Sequence, residues 1–113
     1  MKTHTLRFRS VDRDGFNKIK NGIKTIETRA ASTRYGDIQK GDELIIVCGK
    51  ERVTKKVKLV RHFKSIGSMF KAISFKKIMP WVKSIADARK TYYSYPGYKE
   101  KIKKFGIVVL ELN

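Results

Sequence analysis

The chain is poor in the residues that staple or anchor a protein. It has one cysteine among 113 residues, so no intramolecular disulfide can form, which suits a reducing compartment. That residue, Cys48, ends the apolar run Leu44-Ile45-Ile46-Val47-Cys48 and reads as a buried, inert thiol. A reactive cysteine needs an electropositive, partly exposed setting instead. No apolar run approaches the roughly 20 residues that span a bilayer. The segment from Met1 to Arg9 is charged with no apolar stretch behind it, so no secretory leader is expected. A cytoplasmic protein without membrane insertion follows. His4 and His62 lie far apart and no carboxylates cluster, so no metal site is expected. No glycine-rich phosphate loop is present, and no cofactor is implied. Repeats, low-complexity tracts and linkers are also missing, so residues 1–113 read as a single domain.

Acidic residues are scarce as well. Ten Asp and Glu stand against 27 Lys and Arg, a formal net charge of +17. Self-repulsion at that charge disfavours a compact state, so a polyanionic partner is expected, nucleic acid first and an acidic membrane surface second. The bland alternative is a lysine-rich solvated surface or a domain that binds another protein. The hydrophobic fraction of 41% is enough for one core.

The pattern of what is present predicts an α+β chain. Thr5–Phe8 reads as a first strand. Asp12 or Asp14 would cap a helix carrying Phe16, Ile19 and Ile23 at helical spacing, with Gly22 ending it. Lys24–Arg29 reads as a strand with Ile26 on the core side and Thr25, Glu27 and Arg29 on the other face. A polar loop, 30–39, leads to the turn Lys40-Gly41-Asp42 and a strand over Glu43–Cys48. A hairpin at Gly49-Lys50-Glu51 opens a long strand, Arg52–His62, with Val53, Val57 and Leu59 on one face and Arg52, Thr54, Lys56 and Lys58 on the other. Ser65 would cap a helix with the stripe Ile66, Met69, Phe70, Ile73. Pro80 suits the first position of a third helix, running to about Tyr93. Tyr98–Lys104 reads as a further helical turn, and Phe105–Leu112 as a central strand buried on both faces. Hairpin signals and helices outside a regular alternation favour a small barrel over a doubly wound sheet.

Three constellations could carry function. Lys24, Glu27 and Arg29 crowd a helix-to-strand corner, with Lys24 at the bend. Glu27 and Arg29, two apart on one strand face, either pair with each other or both meet a ligand, and the plainer reading is a structural ion pair beside a helix C-terminus whose partial charge welcomes Lys24. Trp81, Tyr92, Tyr93, Tyr95 and Tyr98 are interleaved with Lys83, Arg89, Lys90, Lys99, Lys101, Lys103 and Lys104, as base stacking and phosphate contact would need. Of these rings, Tyr95 and Tyr98 beside Pro96-Gly97 are expected to be exposed, whereas Tyr92 or Tyr93 suits the core. The cationic strand face Arg52, Lys56 and Lys58 fits phosphate contacts or a solvated surface.

The motif Gly22-x-Lys24-x-x-Glu27-x-Arg29 resembles the signature of the ASCH domain (activating signal cointegrator homology), whose fold is PUA-like. The likeness continues through Ile38–Ile45, Arg52–Phe63 with Ser65–Ile73, and Tyr92-Tyr93 with Phe105–Leu112, so it covers about Phe16 to Leu112. It implies a small PUA-like β-barrel of about five to six mostly antiparallel strands flanked by helices. It further implies a cleft, lined by Lys24, Glu27 and Arg29, that binds RNA or a nucleotide. With the loop and surface positions added, the expected RNA- or ligand-binding set is Lys24, Glu27, Arg29, Arg34, Arg52, Lys56, Lys58, Tyr95 and Tyr98. The alternative the resemblance carries is a hydrolase acting on RNA, or on acetylated cytidine, with Lys24 as base and Glu27 as its ionised neighbour. The amidohydrolase branch of the family uses a threonine three residues after its lysine and a later glutamate. Here Glu27 occupies the threonine's place, and no carboxylate lies near Pro80-Trp81, Asp87 being the nearest.

Overall fold

The computed structural model describes all 113 residues. Five strands and five helices follow the chain as β1 (Thr3–Phe8), α1 (Arg13–Lys20), β2 (Ile26–Ala30), β3 (Glu43–Cys48), β4 (Glu51–Phe63), α2 (Ile66–Ala72), α3 (Phe75–Ile78), α4 (Ile85–Ser94), α5 (Tyr98–Phe105) and β5 (Ile107–Leu112). The strands make one sheet in the order β1-β3-β4-β5-β2. The β1–β3 pair is parallel and β3–β4 antiparallel. The end of β5 bonds to residues before β2, through the Leu112 N–H and the Thr25 carbonyl at 2.7 Å. Its start bonds to residues after β2, through the Ala31 N–H and the Gly106 carbonyl at 2.9 Å. Those two bonds set β2 and β5 antiparallel. The sheet is thus mostly antiparallel and the class α+β, as the sequence implies.

The chain forms two compact units, residues 1–27, 38–60 and 110–113, and residues 28–37 and 61–109. In the first, the hydrophobic alternation of β1 and β3 puts Leu6, Leu44, Ile46 and Cys48 on one face with no exposed surface. Phe16 and Ile19 of α1 are also fully buried, and Phe16 meets Phe8 edge-on at 6.2 Å. Burial of side chains this size stabilises by about 1.5–3 kcal/mol each. Charge then pins the helix: Glu51 accepts from Lys20 at 2.8 Å and Arg13 at 2.5 Å, and both cations hold its carboxyl below the usual range.

In the second unit, α2, α4 and β5 supply the core through Met69, Ala88, Tyr92, Ile107, Val108 and Val109. Serine caps start its first three helices. The hydroxyls of Ser65, Ser74 and Ser84 accept the N–H groups of Ser68, Lys76 and Asp87. β5 is buried along nearly all its length, as a central strand should be.

Several expectations shift. The third helix starts after Ser84, not at Pro80, because a serine offers its hydroxyl to the free N–H groups of the first turn and proline offers none. A short helix, α3, precedes it, and the turn expected at Tyr98 is a full helix. Ile23 is 68% exposed, because the helix has already ended at the left-handed Gly22 and the residue leaves the buried stripe. Leu59 is 42% exposed rather than core. Asp12 precedes α1 but caps nothing; its carboxylate takes Arg9 at 2.8 Å, while Asp14 pairs with Lys18.

One glycine is obligatory. Gly106 has φ 81° and ψ −160°, a region that only glycine occupies readily, and a Cβ there would sit 2.3 Å from the Phe63 carbonyl oxygen. Gly106→Ala is expected to cost about 1–3 kcal/mol from backbone strain alone, with the clash in addition. Denaturant unfolding measures it; a cost within about 0.5 kcal/mol, as for an ordinary surface change, would contradict this account.

Candidate nucleic-acid interface

The site is built from the corner that joins α1 to β2. After Gly22 turns the chain, the Lys24 N–H bonds back to the Lys18 carbonyl at 2.9 Å. That bond fixes the Lys24 backbone before β2 begins. Its Nζ then donates to Glu27 Oε1 at 3.1 Å, with the two side chains only 5% and 6% exposed. Two expected ligand residues therefore sit in a buried ion pair. Removing either partner leaves an uncompensated buried charge.

The next residues of β2 serve differently. Thr28 is buried, and its Oγ1 lies 2.5 Å from the Oη of Tyr92, itself 1% exposed. This bond fastens β2 to α4 within the second unit. The hydroxyl one place beyond the position where the amidohydrolase branch has its threonine is thus bonded into the core. Arg29 is half-buried, with its guanidinium over the Tyr35 ring, 5.6 Å from the centroid. The exposed Arg34 lies 5.5 Å from the same centroid. Arg29 and Arg34, chosen separately from the sequence, are brought together around one ring.

The remaining candidates are placed elsewhere. Arg52, Lys56 and Lys58 are exposed on β4, in a row as their even spacing predicts. Tyr95 and Tyr98 are half-buried, packed edge to face at 5.2 Å, with Tyr95 meeting Tyr92 at 6.3 Å. Their exposure is less than the loop position suggested, because the Tyr92–Tyr95–Tyr98 row draws them inward. Tyr93, one helical step from Tyr92, is 41% exposed, with Lys99 Nζ 5.7 Å from its ring centroid.

Sequence reasoning missed three partners. Tyr35 sits in a polar loop where no periodicity marks it. The Thr28–Tyr92 bond joins residues 64 positions apart, beyond the reach of spacing arguments. The third is an ion pair in the first unit, between Asp42, 5% exposed, and His4, Nε2 to Oδ2 at 2.8 Å. Asp42 also accepts the N–H groups of Lys2 and Gln39, each at 3.0 Å, and these donors, more than His4, hold its carboxyl far below the usual range. These contacts tie β1 to the turn before β3, and the pair serves as a structural brace.

A model of the ASCH domain matches residues 10–113. Among solved structures, the chain is similar to the crystal structure of the hypothetical protein PH0355, at 30% identity and a TM-score of 0.83, covering all of this chain and 98% of that one. It is also similar to the solution NMR structure of protein PF0455 from Pyrococcus furiosus, at 26% identity and a TM-score of 0.73, covering 100% and 96%. No curated protein matches. No helix is long and apolar enough to cross a membrane.

Two measurements check this geometry. Lys24→Met should cost about 3–5 kcal/mol by stranding Glu27, and the double change with Glu27→Leu should restore most of it; equal losses in single and double variants would refute a stabilising pair. Because the Asp42 pKa is lowered on folding, its contribution is present above the ordinary aspartate value of about 3.9 and lost as pH falls below it. Asp42→Asn should therefore flatten the stability profile between about pH 5 and pH 2; parallel acid losses in both proteins would contradict the brace.

Proposed function

The chain belongs to the ASCH domain family, and from that premise we propose that it binds RNA, reading single-stranded ribonucleotides at β2 and the loop that follows. The observation that carries the proposal is the grouping of Arg29 and Arg34 around Tyr35. Single-stranded RNA is bound through unstacked bases laid on aromatic rings or guanidinium groups, with cations taking the phosphates. Arg29 takes a phosphate or base edge, and Arg34, at the exposed end of the group, receives a base or the next phosphate. Glu27 stays paired with Lys24 at the start of the strand. Tyr95 and Tyr98, packed edge to face on each other, are a separate candidate stacking place. The surplus of cations supplies the general attraction.

The hydrolase reading is less well supported. Lys24 donates to Glu27, so a role as base requires that bond to break, and Thr28 is already held by Tyr92. Binding without turnover is expected.

Arg29→Ala should weaken a short single-stranded RNA by about tenfold or more at moderate salt, where screening has removed most of the non-specific attraction. Lys77→Ala, at an exposed cation on α3, should change it far less. Fluorescence anisotropy gives both numbers, and equal losses would reject the site. Incubation of the wild type with labelled RNA and with acetylated cytidine should leave both intact; turnover of either would move the assignment to a hydrolase.

A further inference from the structure

The face of the sheet opposite the first unit's core carries a second charge pattern. In the β3–β4 register, Glu43 stands opposite Lys56, Ile45 opposite Thr54 and Val47 opposite Arg52. The parallel register with β1 adds Thr3, Thr5 and Arg7 beside Glu43, Ile45 and Val47. Residues in register share a face. That face therefore presents exposed cations, Arg7 on the edge strand β1 and Arg52, Lys56 and Lys58 on the central strand β4, with the exposed hydroxyl of Thr54 within the β4 row. Two carboxylates share it, Glu43 opposite Lys56 and Glu111, which the bond from the Asn113 N–H to the Lys56 carbonyl places beside Lys58 on the neighbouring β5.

From this arrangement we infer a second nucleic-acid surface, distinct from β2, that takes the phosphate backbone of duplex RNA without reading sequence. The face has no aromatic residue in any of the three strands' outward positions, so base stacking, which single strands need, is not available there. What it does offer is a straight row. From Arg52 to Lys58 the strand advances about 20 Å, the two lysines about 6.7 Å apart. A duplex presents a phosphate about every 3.4 Å along each strand, a fixed rail against which a rigid row of cations can be set. A flexible single strand gains nothing from that rigidity. An acidic membrane is the weaker match, because the apolar residues of the face, Ile45 and Val47, are half-buried and buried and have nothing to insert. Thr54 adds a hydroxyl of the kind that bonds phosphate oxygens. Glu43 and Glu111 oppose the interaction and set its limit.

The test is the salt dependence of binding to a blunt-ended duplex RNA, followed by anisotropy on the full chain. The triple variant R52Q/K56Q/K58Q, all on exposed positions, should fold as the wild type and lower the slope of log K against log salt by about 2 to 3. The loss should be the same for duplexes of unrelated sequence. Glu43→Gln should strengthen binding by removing an opposing charge. An unchanged slope in the triple variant overturns the inference, as does a loss that depends on sequence. So does loss of binding to phosphatidylserine vesicles with duplex binding intact. Arg29→Ala separates the two proposals. If it leaves single-stranded binding unaltered, the β2 reading fails while the duplex slope still decides this one.

Discussion

Everything the candidate interface presents depends on one buried ion pair. Lys24 and Glu27 sit three residues apart at the corner between α1 and β2, 3.1 Å from nitrogen to oxygen and nearly sealed from solvent. A strand whose side chains alternate can slip by one residue only by moving every side chain to the other face. The Lys24 backbone is bonded to Lys18 of α1 and its side chain to Glu27, so the pair ties the start of β2 to the end of α1. Further along the strand, within the second unit, Thr28 bonds Tyr92 and Arg29 lies over Tyr35. A buried ion pair adds little net stability over an apolar substitute, and a role in fixing register is the better-attested use of such pairs.

The charge balance follows the same economy. Of the ten acidic residues, Asp12, Asp14, Glu27, Asp42 and Glu51 are in ion pairs that join neighbouring turns or tie strands to helices. Half of the scarce carboxylates are thus in ion pairs, and of these Glu27, Asp42 and Glu51 tie one element to another. The cations they do not reach stay on exposed strand and helix faces, where they raise the attraction for any polyanion. That surplus explains affinity at long range but not selection, which needs ordered groups at short range. The guanidinium groups around Tyr35 are the candidates for that role.

Much of the fold was legible because it rests on local rules. The alternation of Glu43–Cys48, the stripe Ile66-Met69-Phe70-Ile73 and the cap at Ser65 each declare their element within a few residues, and the signature Gly22-x-Lys24-x-x-Glu27-x-Arg29 located the corner. Spacing left Glu27 either paired with Arg29 or sharing a ligand with it, and the bond it makes in three dimensions is to Lys24. What stayed hidden were bonds between distant residues. Nothing in Thr28 points to Tyr92, nothing in His4 points to Asp42, and Tyr35 lies in a loop with no periodicity. Pro80 misled because proline at a first helical position is a preference, whereas the Ser84 hydroxyl makes an actual bond.

The most direct test of the central claim is an amide-resolved NMR titration of the chain with a short single-stranded RNA, recorded at low and at moderate salt. The account predicts shifts concentrated on Lys24 to Tyr35 that persist when salt screens the general attraction. Shifts scattered over the exposed lysines and lost at moderate salt would contradict it, leaving charge as the sole source of binding.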